Sequence, residues 1–548
     1  MRALQMLRST TRAALGIALI SLTAAAVFWP TSPGHAAGSP VADAARDGAL
    51  EPVSELIAQG ADVNVAATDG TTALLWAAYH HHVDMAQALI AAGADPDVAN
   101  NFGVTPLLQA SRTGDAAVIE VLLDGGAEIE LSHPEGLTAL MAAAGTGNLD
   151  AVHLLLKRGA DPTAEDSYQK QTALMWAATE GHLEVVDTLL RTGADPNAQA
   201  HISALTERSE YGDYPSGGFT ALMWATRNGY EDIVTRLIDA GADLNIRNGD
   251  DATAMMIAIV NDRFDFAAML LELGADADDG SLYHAVQMRD ATTDWYARDG
   301  SELRADHDNE LTALDLIARL LEAGADPDKP LAQQMHSAKM CCDTYANGTP
   351  FYRAAVAADV EALKLLVPLG VDFDWMPEEI EDGGMSANAH AGKPALIAAI
   401  NGGKGVPLSA GPGYSREGPP PFRELSNREP GDAVRLLLEA GADPDAAMPE
   451  GKTTALHEAV RTRNLDTIGA LIDAGVTLDV KDEDGLTALH VAKALPTEKP
   501  ENVFAVGRVN LEGASPDEIA GLLRESMEAA GVPIEPAPEP AQDDAEDA

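Results

Sequence analysis

The sequence is poor in features on which many enzymes, membrane proteins and disulfide-linked domains depend. Its 548 residues include 2 cysteines, 5% are aromatic, and 36 basic residues face 86 acidic ones, giving a formal charge of −50. So few cysteines exclude a disulfide-rich scaffold. The negative charge repels nucleic acid phosphates and anionic membrane surfaces, so we expect neither as a partner. It suits a basic partner, or it serves solubility alone.

Long apolar runs are also scarce, and one stands out near the start. An arginine-containing segment leads into the apolar run 13–29, and Gly34-His35-Ala36 follows as a small-x-small cleavage site. This order predicts a signal peptide over residues 1–36 and a periplasmic or secreted protein, with no membrane insertion after cleavage. A retained anchor in the inner membrane, facing the periplasm, is the alternative. No cysteine lies directly after the run, which excludes a lipoprotein.

What the chain has in abundance is a repeat. A glycine, usually within Gly-Ala-Asp, recurs with a base spacing of 33 residues and several longer gaps. These glycines are Gly60, Gly93, Gly126, Gly159, Gly193, Gly241, Gly274, Gly324, Gly370, Gly441, Gly475 and a degenerate Gly531.

The unit 172–197 shows how each repeat is predicted to fold. Thr172 precedes an apolar helix whose first turn it can cap, and Gly181 ends that helix. The apolar stripe within 183–190 forms a second helix, which Gly193 ends with a left-handed backbone. One helix pair cannot bury its own apolar face, so the pairs must stack, and the sequence specifies a solenoid.

The 33-residue period and the recurring T-A-L-x-x-A motif resemble the ankyrin-repeat family. The motif appears as TALLWAA (72–78), TPLLQAS (105–111), TALMAAA (138–144), TALMWAT (220–226), TALHEAV (454–460) and TALHVAK (487–493). The resemblance implies an all-α ankyrin-repeat solenoid of about twelve helix-turn-helix repeats over residues 37–533. Most units lack the histidine of the family's TPLH motif, which His457 and His490 keep. The segment 348–366 also resembles an exported bacterial subgroup of the family.

Insertions interrupt this array, and an unusual tail follows it. In a solenoid, extra residues are expected to form loops on one face, often the binding face. The insertions lie near 198–219, 289–311, 329–348, 378–393 and 401–431. Residues 534–548 contain acids and prolines but no basic residue, which predicts a disordered tail.

The sequence contains no complete motif for catalysis among those that its residues suggest. His457-Glu458 is not followed by the second histidine of a zinc-protease motif, and Gly403-Lys404 lacks the rest of a phosphate-binding loop. The segment 480–491 resembles a calcium loop but has Val480 at the first ligand position and Val491 at the last. We therefore predict no enzymatic activity, no cofactor and no metal site.

Two sets of aromatic residues have two possible interpretations each. His80, His81 and His82 could bind a metal, or they could form a turn with one histidine facing a partner. Trp76, Trp176 and Trp224 share one position in their repeats. They could form a row on which a ligand stacks, but that position normally packs against the adjacent repeat, so we predict that they belong to the core.

Cys341 and Cys342 are adjacent, and they are the two cysteines of the chain. Their Cα atoms are about 3.8 Å apart across a trans peptide, below the usual disulfide range, so a vicinal disulfide is possible but strained. We predict that such a bridge stiffens the loop. Intermolecular pairing or unused thiols are alternatives. A Cu(I) or redox site with Met335, His336 and Met340 is another.

The resemblance also implies where a partner binds, namely at turn tips and at the exposed ends of the first helices. The predicted partner-facing residues are Tyr79, His80, Phe102, Arg112, Tyr168, Glu180, Arg227, Asn228 and Arg461, which Tyr211 and Tyr214 could extend. We predict a non-enzymatic, monomeric protein-binding scaffold that uses its concave face. The alternatives are a periplasmic metal or redox accessory protein acting through the 335–342 loop, or an acidic neutraliser of a basic toxin or enzyme.

Overall fold

In a computed structural model, the described residues are 39–204, 215–290, 309–331, 348–378, 392–402, 430–497 and 513–536. Within these ranges the chain forms twenty-four α-helices that follow one another as twelve pairs. The chain divides into two compact units. The first comprises residues up to Ser203 together with Gly217–Asp243, and the second comprises Ala204–Ser216 together with the chain from Leu244 onward. The predicted helical solenoid of about twelve repeats is confirmed.

The first unit contains six helix pairs. They are α1 Pro40–Arg46 with α2 Leu50–Ala58, α3 Ala73–Tyr79 with α4 Val83–Ala91, α5 Pro106–Thr113 with α6 Ala116–Asp124, α7 Ala139–Thr146 with α8 Leu149–Lys157, α9 Ala173–Glu180 with α10 Leu183–Arg191, and α11 Ala221–Asn228 with α12 Glu231–Asp239. The two helices of a pair pack together, and the first helices of consecutive pairs pack on one another.

The second unit contains six further pairs. They are α13 Ala254–Val260 with α14 Phe264–Glu272, α15 Ser281–Asp290 with α16 Ala313–Glu322, α17 Pro350–Val356 with α18 Val360–Leu366, α19 Ala395–Ile400 with α20 Pro430–Glu439, α21 Ala455–Thr462 with α22 Leu465–Asp473, and α23 Ala488–Ala494 with α24 Pro516–Ala530. A short 3-10 helix, Val367–Leu369, continues α18.

Threonine starts most of the first helices, as the sequence predicted for Thr172. In the first unit each such hydroxyl accepts a hydrogen bond of 3.1 to 3.4 Å from the backbone N–H three residues later, which satisfies a donor that the helix leaves unused. These threonines are Thr72, Thr105, Thr138, Thr172 and Thr220. Gly181 and Gly193 end their helices with φ of 85° and 104°, so both predicted stops are confirmed.

Alanine lets neighbouring first helices approach one another. Ala77 and Ala78 of α3 and Ala177 and Ala178 of α9 have no exposed surface. Their small side chains leave room for the next helix, and the leucines and valines of the second helices fill the space behind them. The core is therefore a continuous layer between repeats, as expected when one pair cannot bury its own apolar face.

Side chains next to the Gly-Ala-Asp turns link each repeat to the next. The amide of Asn64 donates to the carbonyl of Gly93 at 2.9 Å, and its oxygen accepts from the N–H of Asp95 at 2.8 Å. Asn197 makes the same two bonds to the repeat that follows it, at 3.1 and 2.7 Å. One amide thus replaces water for two backbone groups of its neighbour.

One short pair of strands lies within the otherwise all-α solenoid. Strands β1 Ile202–Ala204 and β2 Pro215–Gly217 pair at the two ends of the first insertion. The backbone N–H of Gly218 donates to the carbonyl of His201 at 3.1 Å beside this pairing. The insertion starts as a two-stranded ribbon because its ends return to one place in the solenoid.

The insertions occupy two kinds of position, so the expectation that all extra loops leave one face is wrong. Those near 289–311 and 401–431 join the two helices of one pair, and residues 498–512 do the same between α23 and α24. The turn within a pair and the segment between pairs lie at opposite ends of the helices. The insertions that lie between pairs are those near 198–219, 329–348 and 378–393.

The segment that follows α24 contacts the last repeat. His457 Nε2 donates to the carbonyl of Leu486 in the next repeat at 3.0 Å, and His490 Nε2 donates to the carbonyl of Glu535 at the same distance. The carboxylate of Glu535 also accepts from Lys481 Nζ at 2.7 Å. Glu535, which was predicted to lie in the tail, thus takes the place of a following repeat. Among the described residues, no helix is both long enough and apolar enough to cross a membrane.

Candidate partner-binding surface

The predicted partner-facing residues of the first unit fall into two rows. We call the segment between two pairs a finger, and the finger-tip row consists of the predicted Phe102 and Tyr168 together with Asp69 and Glu135. The helix-end row lies at the carboxyl ends of the first helices and contains Tyr79, His80, Arg112, Glu180, Arg227 and Asn228. A helix of seven or eight residues, about 11 Å long, separates the two rows.

Hydrogen bonds join each finger tip to the next. The backbone N–H of Asn101 donates to the carbonyl of Asp69 at 2.9 Å. His133 Nε2 donates to the carbonyl of Phe102 at 2.8 Å, while His133 Nδ1 accepts from the N–H of Glu135 at 3.1 Å. Ser167 N–H continues the series by donating to the carbonyl of Glu135 at 3.0 Å. The four tips therefore form one connected edge.

Glycines behind the tips make this close contact possible. Gly70, Gly103 and Gly136 have φ of 81°, 78° and 87°, a region that suits glycine. A Cβ atom on Gly103 would lie 2.3 Å from Cδ of Pro134, and one on Gly136 would lie 2.2 Å from the backbone nitrogen of Ser167. Each tip thus lies directly against the next.

Three of the four tip side chains are exposed, and the fourth, Asp69, is half-buried with one carboxylate oxygen accepting from the N–H of Thr71. Phe102 is 62% exposed and Tyr168 is 70% exposed, while the side chain of Glu135 is 78% exposed. With Asp69, these residues repeat at intervals of 33 in the order acid, aromatic, acid, aromatic. Exposed aromatic side chains of this size are typical of interface anchors.

In the helix-end row, partly exposed side chains lie on buried tryptophans. The rings of Tyr79 and Trp76 meet edge to face with centroids 5.7 Å apart. The guanidinium of Arg227 lies 5.5 Å from the ring centre of Trp224, a cation–π contact. Trp76 and Trp224 are 5% and 6% exposed, which confirms the prediction that they belong to the core.

Trp176 is the more open member of the set, since it is half-buried. It packs towards the preceding repeat, where a Cβ atom on Gly145 would lie 3.3 Å from its ring. This contact is the one predicted for the position. The tryptophans therefore support the helix-end row from beneath, and the described geometry does not place them as a row on which a ligand stacks.

Other predicted partner-facing residues have contacts within the scaffold. The amide of Asn228 donates to the carbonyl of Thr179 in the preceding repeat at 2.9 Å. Burial raises the pKa of the half-buried Glu180 carboxyl, against an opposing effect of nearby His182. Arg112 has an exposed side chain. Of these three, Arg112 is the one best placed to contact a partner.

The three consecutive histidines make contacts in different directions. His80 Nε2 donates to the carbonyl of Arg46 at 2.8 Å, and His81 Nδ1 lies 3.1 Å from a carboxylate oxygen of Asp115. The ring of His82 lies next to Gly48, where an added Cβ atom would be 3.2 Å away. These contacts agree with the turn interpretation and do not direct the three rings at one ion.

In the second unit, Arg461 is exposed but has partners of its own. Its guanidinium lies 3.4 Å from the carboxylate of Glu458 and 3.8 Å from that of Asp482, which is almost fully buried. Arg461 therefore links its helix to the following repeat. A partner would have to compete with these acids for the guanidinium.

Several predictions concern residues outside the described ranges. They involve Tyr211, Tyr214, Cys341 and Cys342, the loop residues Met335, His336 and Met340, and the signal peptide over 1–36. Within the ranges described, no three His, Cys, Asp or Glu side chains are arranged so that they could hold a metal ion.

Sequence reasoning missed two features that the structure reveals. Asp69 and Glu135 complete the finger-tip row, and their exact 33-residue spacing from Phe102 and Tyr168 was a signal that could have identified them. The contact of Glu535 with the last repeat had no comparable signal, because its backbone carbonyl makes the bond to His490.

Comparisons with known proteins agree with this architecture. The family description "Ankyrin repeats (3 copies)" matches residues 41–133, 118–200, 203–280 and 425–495, together more than half of the chain. The E3 ubiquitin-protein ligase KEG of Arabidopsis thaliana is 34% identical over 73 residues, which are 13% of this chain and 4% of that protein. The B-cell lymphoma 3 protein homolog of Mus musculus is 46% identical over 65 residues, 11% of this chain and 14% of that protein.

Solved structures of ankyrin-repeat domains resemble part of this chain. The crystal structure of the ankyrin repeat domain of Bcl-3 aligns with 43% of this chain and all of that domain, with 27% identity and a TM-score of 0.37. The chain spans only a small part of the two curated relatives named above. Their complete activities therefore do not carry over with the match.

Proposed function

The chain belongs to the ankyrin-repeat family, and from this premise we propose that it is a non-enzymatic scaffold that binds a protein partner through its finger-tip and helix-end rows. The observation that carries the proposal is a set of exposed aromatic side chains, together with the exposed Arg112 and the half-buried Arg227, on a buried support. Tyr79 and Arg227 lie on buried tryptophans, and Phe102 and Tyr168 extend from connected tips. Such side chains supply most of the binding energy in protein interfaces.

We also propose that the protein is exported and acts as a monomer in the periplasm of a Gram-negative bacterium. The charged start, apolar run and small-residue site of residues 1–36 support export. Protein isolated from the periplasmic fraction of its native host should begin near Ala37. An intact Met1 in the cytosol would overturn this part of the proposal.

The binding proposal is tested with a triple variant, Tyr79→Ala, Arg112→Ala and Arg227→Ala. In-cell crosslinking followed by mass spectrometry identifies the partner of the natural protein. Recovery of that partner should fall at least tenfold in the variant if one of the three residues contributes about 1.4 kcal/mol or more. Helicity should change little, because Arg112→Ala is an exposed substitution and should cost within about 0.5 kcal/mol. Loss of the contacts that Tyr79 and Arg227 make with buried tryptophans should cost about 0.5–1 kcal/mol each, so the melting temperature should fall modestly.

The matched control changes the exposed Leu183 and Glu184 of α10 to alanine, on a second helix of the same unit. This control should keep full partner recovery. Equal loss in both variants would assign the effect to stability or charge, and full recovery in the triple variant would place the binding site elsewhere, for instance on the inserted loops.

A further inference from the structure

We propose that the finger-tip row binds an extended segment of a protein partner that carries a cationic side chain, preferably arginine, at about every third residue. This inference rests on the proposed function, because it names the partner chemistry for one of the two rows. It is carried by the alternation of Asp69, Phe102, Glu135 and Tyr168 on one connected edge.

The spacing of the row sets the spacing of the ligand. Neighbouring helices pack about 8–10 Å apart, and the tips of neighbouring repeats are joined by hydrogen bonds of 2.8 to 3.0 Å, so the tips advance by the same step. An extended chain rises about 3.3 Å per residue. Three residues of an extended segment therefore cover the distance from one tip to the next, and a segment of about ten residues reaches from the first tip to the fourth.

The chemistry of the tips favours one kind of side chain at each step. Glu135 offers an exposed carboxylate, and Phe102 and Tyr168 offer exposed rings. Asp69 is half-buried and offers the carboxylate oxygen that does not accept from the N–H of Thr71. A guanidinium can pair with a carboxylate and can also stack on an aromatic face. One cationic residue type at every third position thus matches acid and aromatic tips alike.

The surroundings of the row agree with a cationic ligand. Lys170 is a basic residue beside the fourth tip, but its ammonium lies 3.4 Å from a carboxylate oxygen of Glu165, which offsets its repulsion of a cationic ligand. His133 has one ring nitrogen on the carbonyl of Phe102 and the other on the N–H of Glu135. The chain as a whole carries a formal charge of −50, which attracts a basic segment at long range.

The test uses the full chain and two fluorescent peptides of twelve residues and identical composition. One has arginine at positions 1, 4, 7 and 10 with serine and glycine between, and the other has its four arginines adjacent. Fluorescence anisotropy at 0.15 M salt should show that the periodic peptide binds about tenfold more tightly. Equal affinity for both peptides would show attraction to net charge alone, and no measurable binding of either would also overturn the inference.

Two variants with matched controls locate the binding. Phe102→Ala with Tyr168→Ala should weaken binding of the periodic peptide at least fivefold, whereas Leu183→Ala, on α10 of the same unit, should not. Glu135→Gln should weaken it severalfold, whereas Glu184→Gln removes the same charge from α10 and should not. Losses that are equal in variants and controls would contradict a site on the finger tips.

The two proposals can fail separately. If the crosslinked partner depends on the helix-end residues but not on Phe102 and Tyr168, the scaffold function stands and the finger-tip inference is wrong. If the periodic peptide binds at the tips but no protein partner is recovered from cells, the tip chemistry stands and the scaffold function is wrong.

Discussion

Arg289 and Asp359 form a bidentate ion pair that joins two repeats of the second unit. The guanidinium of Arg289, on α15, donates to both oxygens of Asp359 at 2.6 and 2.9 Å. The arginine side chain is 19% exposed and the aspartate 3%. Asp359 also caps α18 by accepting from the N–H of Ala362. One buried carboxylate therefore starts a helix and holds the preceding repeat.

Removing this carboxylate should destabilise the second unit. We expect Asp359→Ala to lower the free energy of unfolding by about 3 kcal/mol. The change removes the carboxylate from the mostly buried guanidinium of Arg289, and it also removes the cap of α18. Asp359→Asn should cost less, because an amide oxygen can still cap the helix. The comparison is Asp432→Ala, which breaks an exposed pair with Arg435 at 2.7 Å and should cost less than about 1 kcal/mol. Urea unfolding measures each value, and similar costs for Asp359→Ala and Asp432→Ala would contradict the structure.

The close contact between finger tips can be tested with two glycines. Gly93 and Gly103 both have positive φ, but an added Cβ atom meets nothing within 4 Å at Gly93 and lies 2.3 Å from Pro134 at Gly103. Gly93→Ala should cost about 1 kcal/mol through backbone strain alone. Gly103→Ala should cost about 1–3 kcal/mol more through overpacking. Thermal unfolding measures the difference, and its absence would mean that the tips are not in contact.

A buried histidine should make the last repeats sensitive to acid. Burial lowers the pKa of His457 below its ordinary value of about 6.5, against weaker opposing effects of its bond to Leu486 and of Asp482. The unfolded chain then binds a proton more readily than the folded one, so stability is full above pH 6.5 and is lost as the pH falls below it. His457 Nδ1 also lies 2.8 Å from the hydroxyl of Thr454.

Melting curves between pH 7.5 and 5.0 test this prediction. The protein should lose stability as the pH falls, and His457→Gln should be less stable at pH 7.5 but should lose less on acidification. His201→Gln, which changes an exposed histidine, should retain the slope of the natural protein. An unchanged slope in His457→Gln would assign the acid sensitivity to other groups.

The segment after α24 should stabilise the last repeat through its backbone. Deletion of residues 532–548 removes the carbonyl that accepts from His490 and the pair between Glu535 and Lys481, whereas deletion of 537–548 keeps both. We expect the longer deletion to cost about 1–3 kcal/mol, because it leaves a buried donor without this acceptor. Hydrogen exchange should accelerate in α23 and α24 after the longer deletion alone. Equal protection in both truncated proteins would show that the segment does not act as a cap.

The sequence predicted the repeat well because one physical rule recurs in every unit. Threonine at the helix start, alanine between helices and glycine at the helix end each act over a few residues, so Thr172, Gly181 and Gly193 could be assigned without a structure. The site was only partly predictable. Asn228 occupies a surface position in the repeat, but its amide bonds to Thr179 forty-nine residues away, a contact that local patterns do not encode.

The placement of the insertions has a consequence for how the molecule folds. In the first unit the turn between two paired helices is short, as between Tyr79 and Val83, whereas Asp290 and Ala313 of the second unit are separated by about twenty residues. Closing the longer loop costs roughly 1.8 kcal/mol more in chain entropy. Because rapid folding favours contacts between near neighbours in sequence, we expect the first unit to assemble quickly from adjacent helices. In the second unit, three pairs have a long loop between their two helices. These loops must close before the paired helices can pack, so the second unit should have the higher folding barrier and should form more slowly.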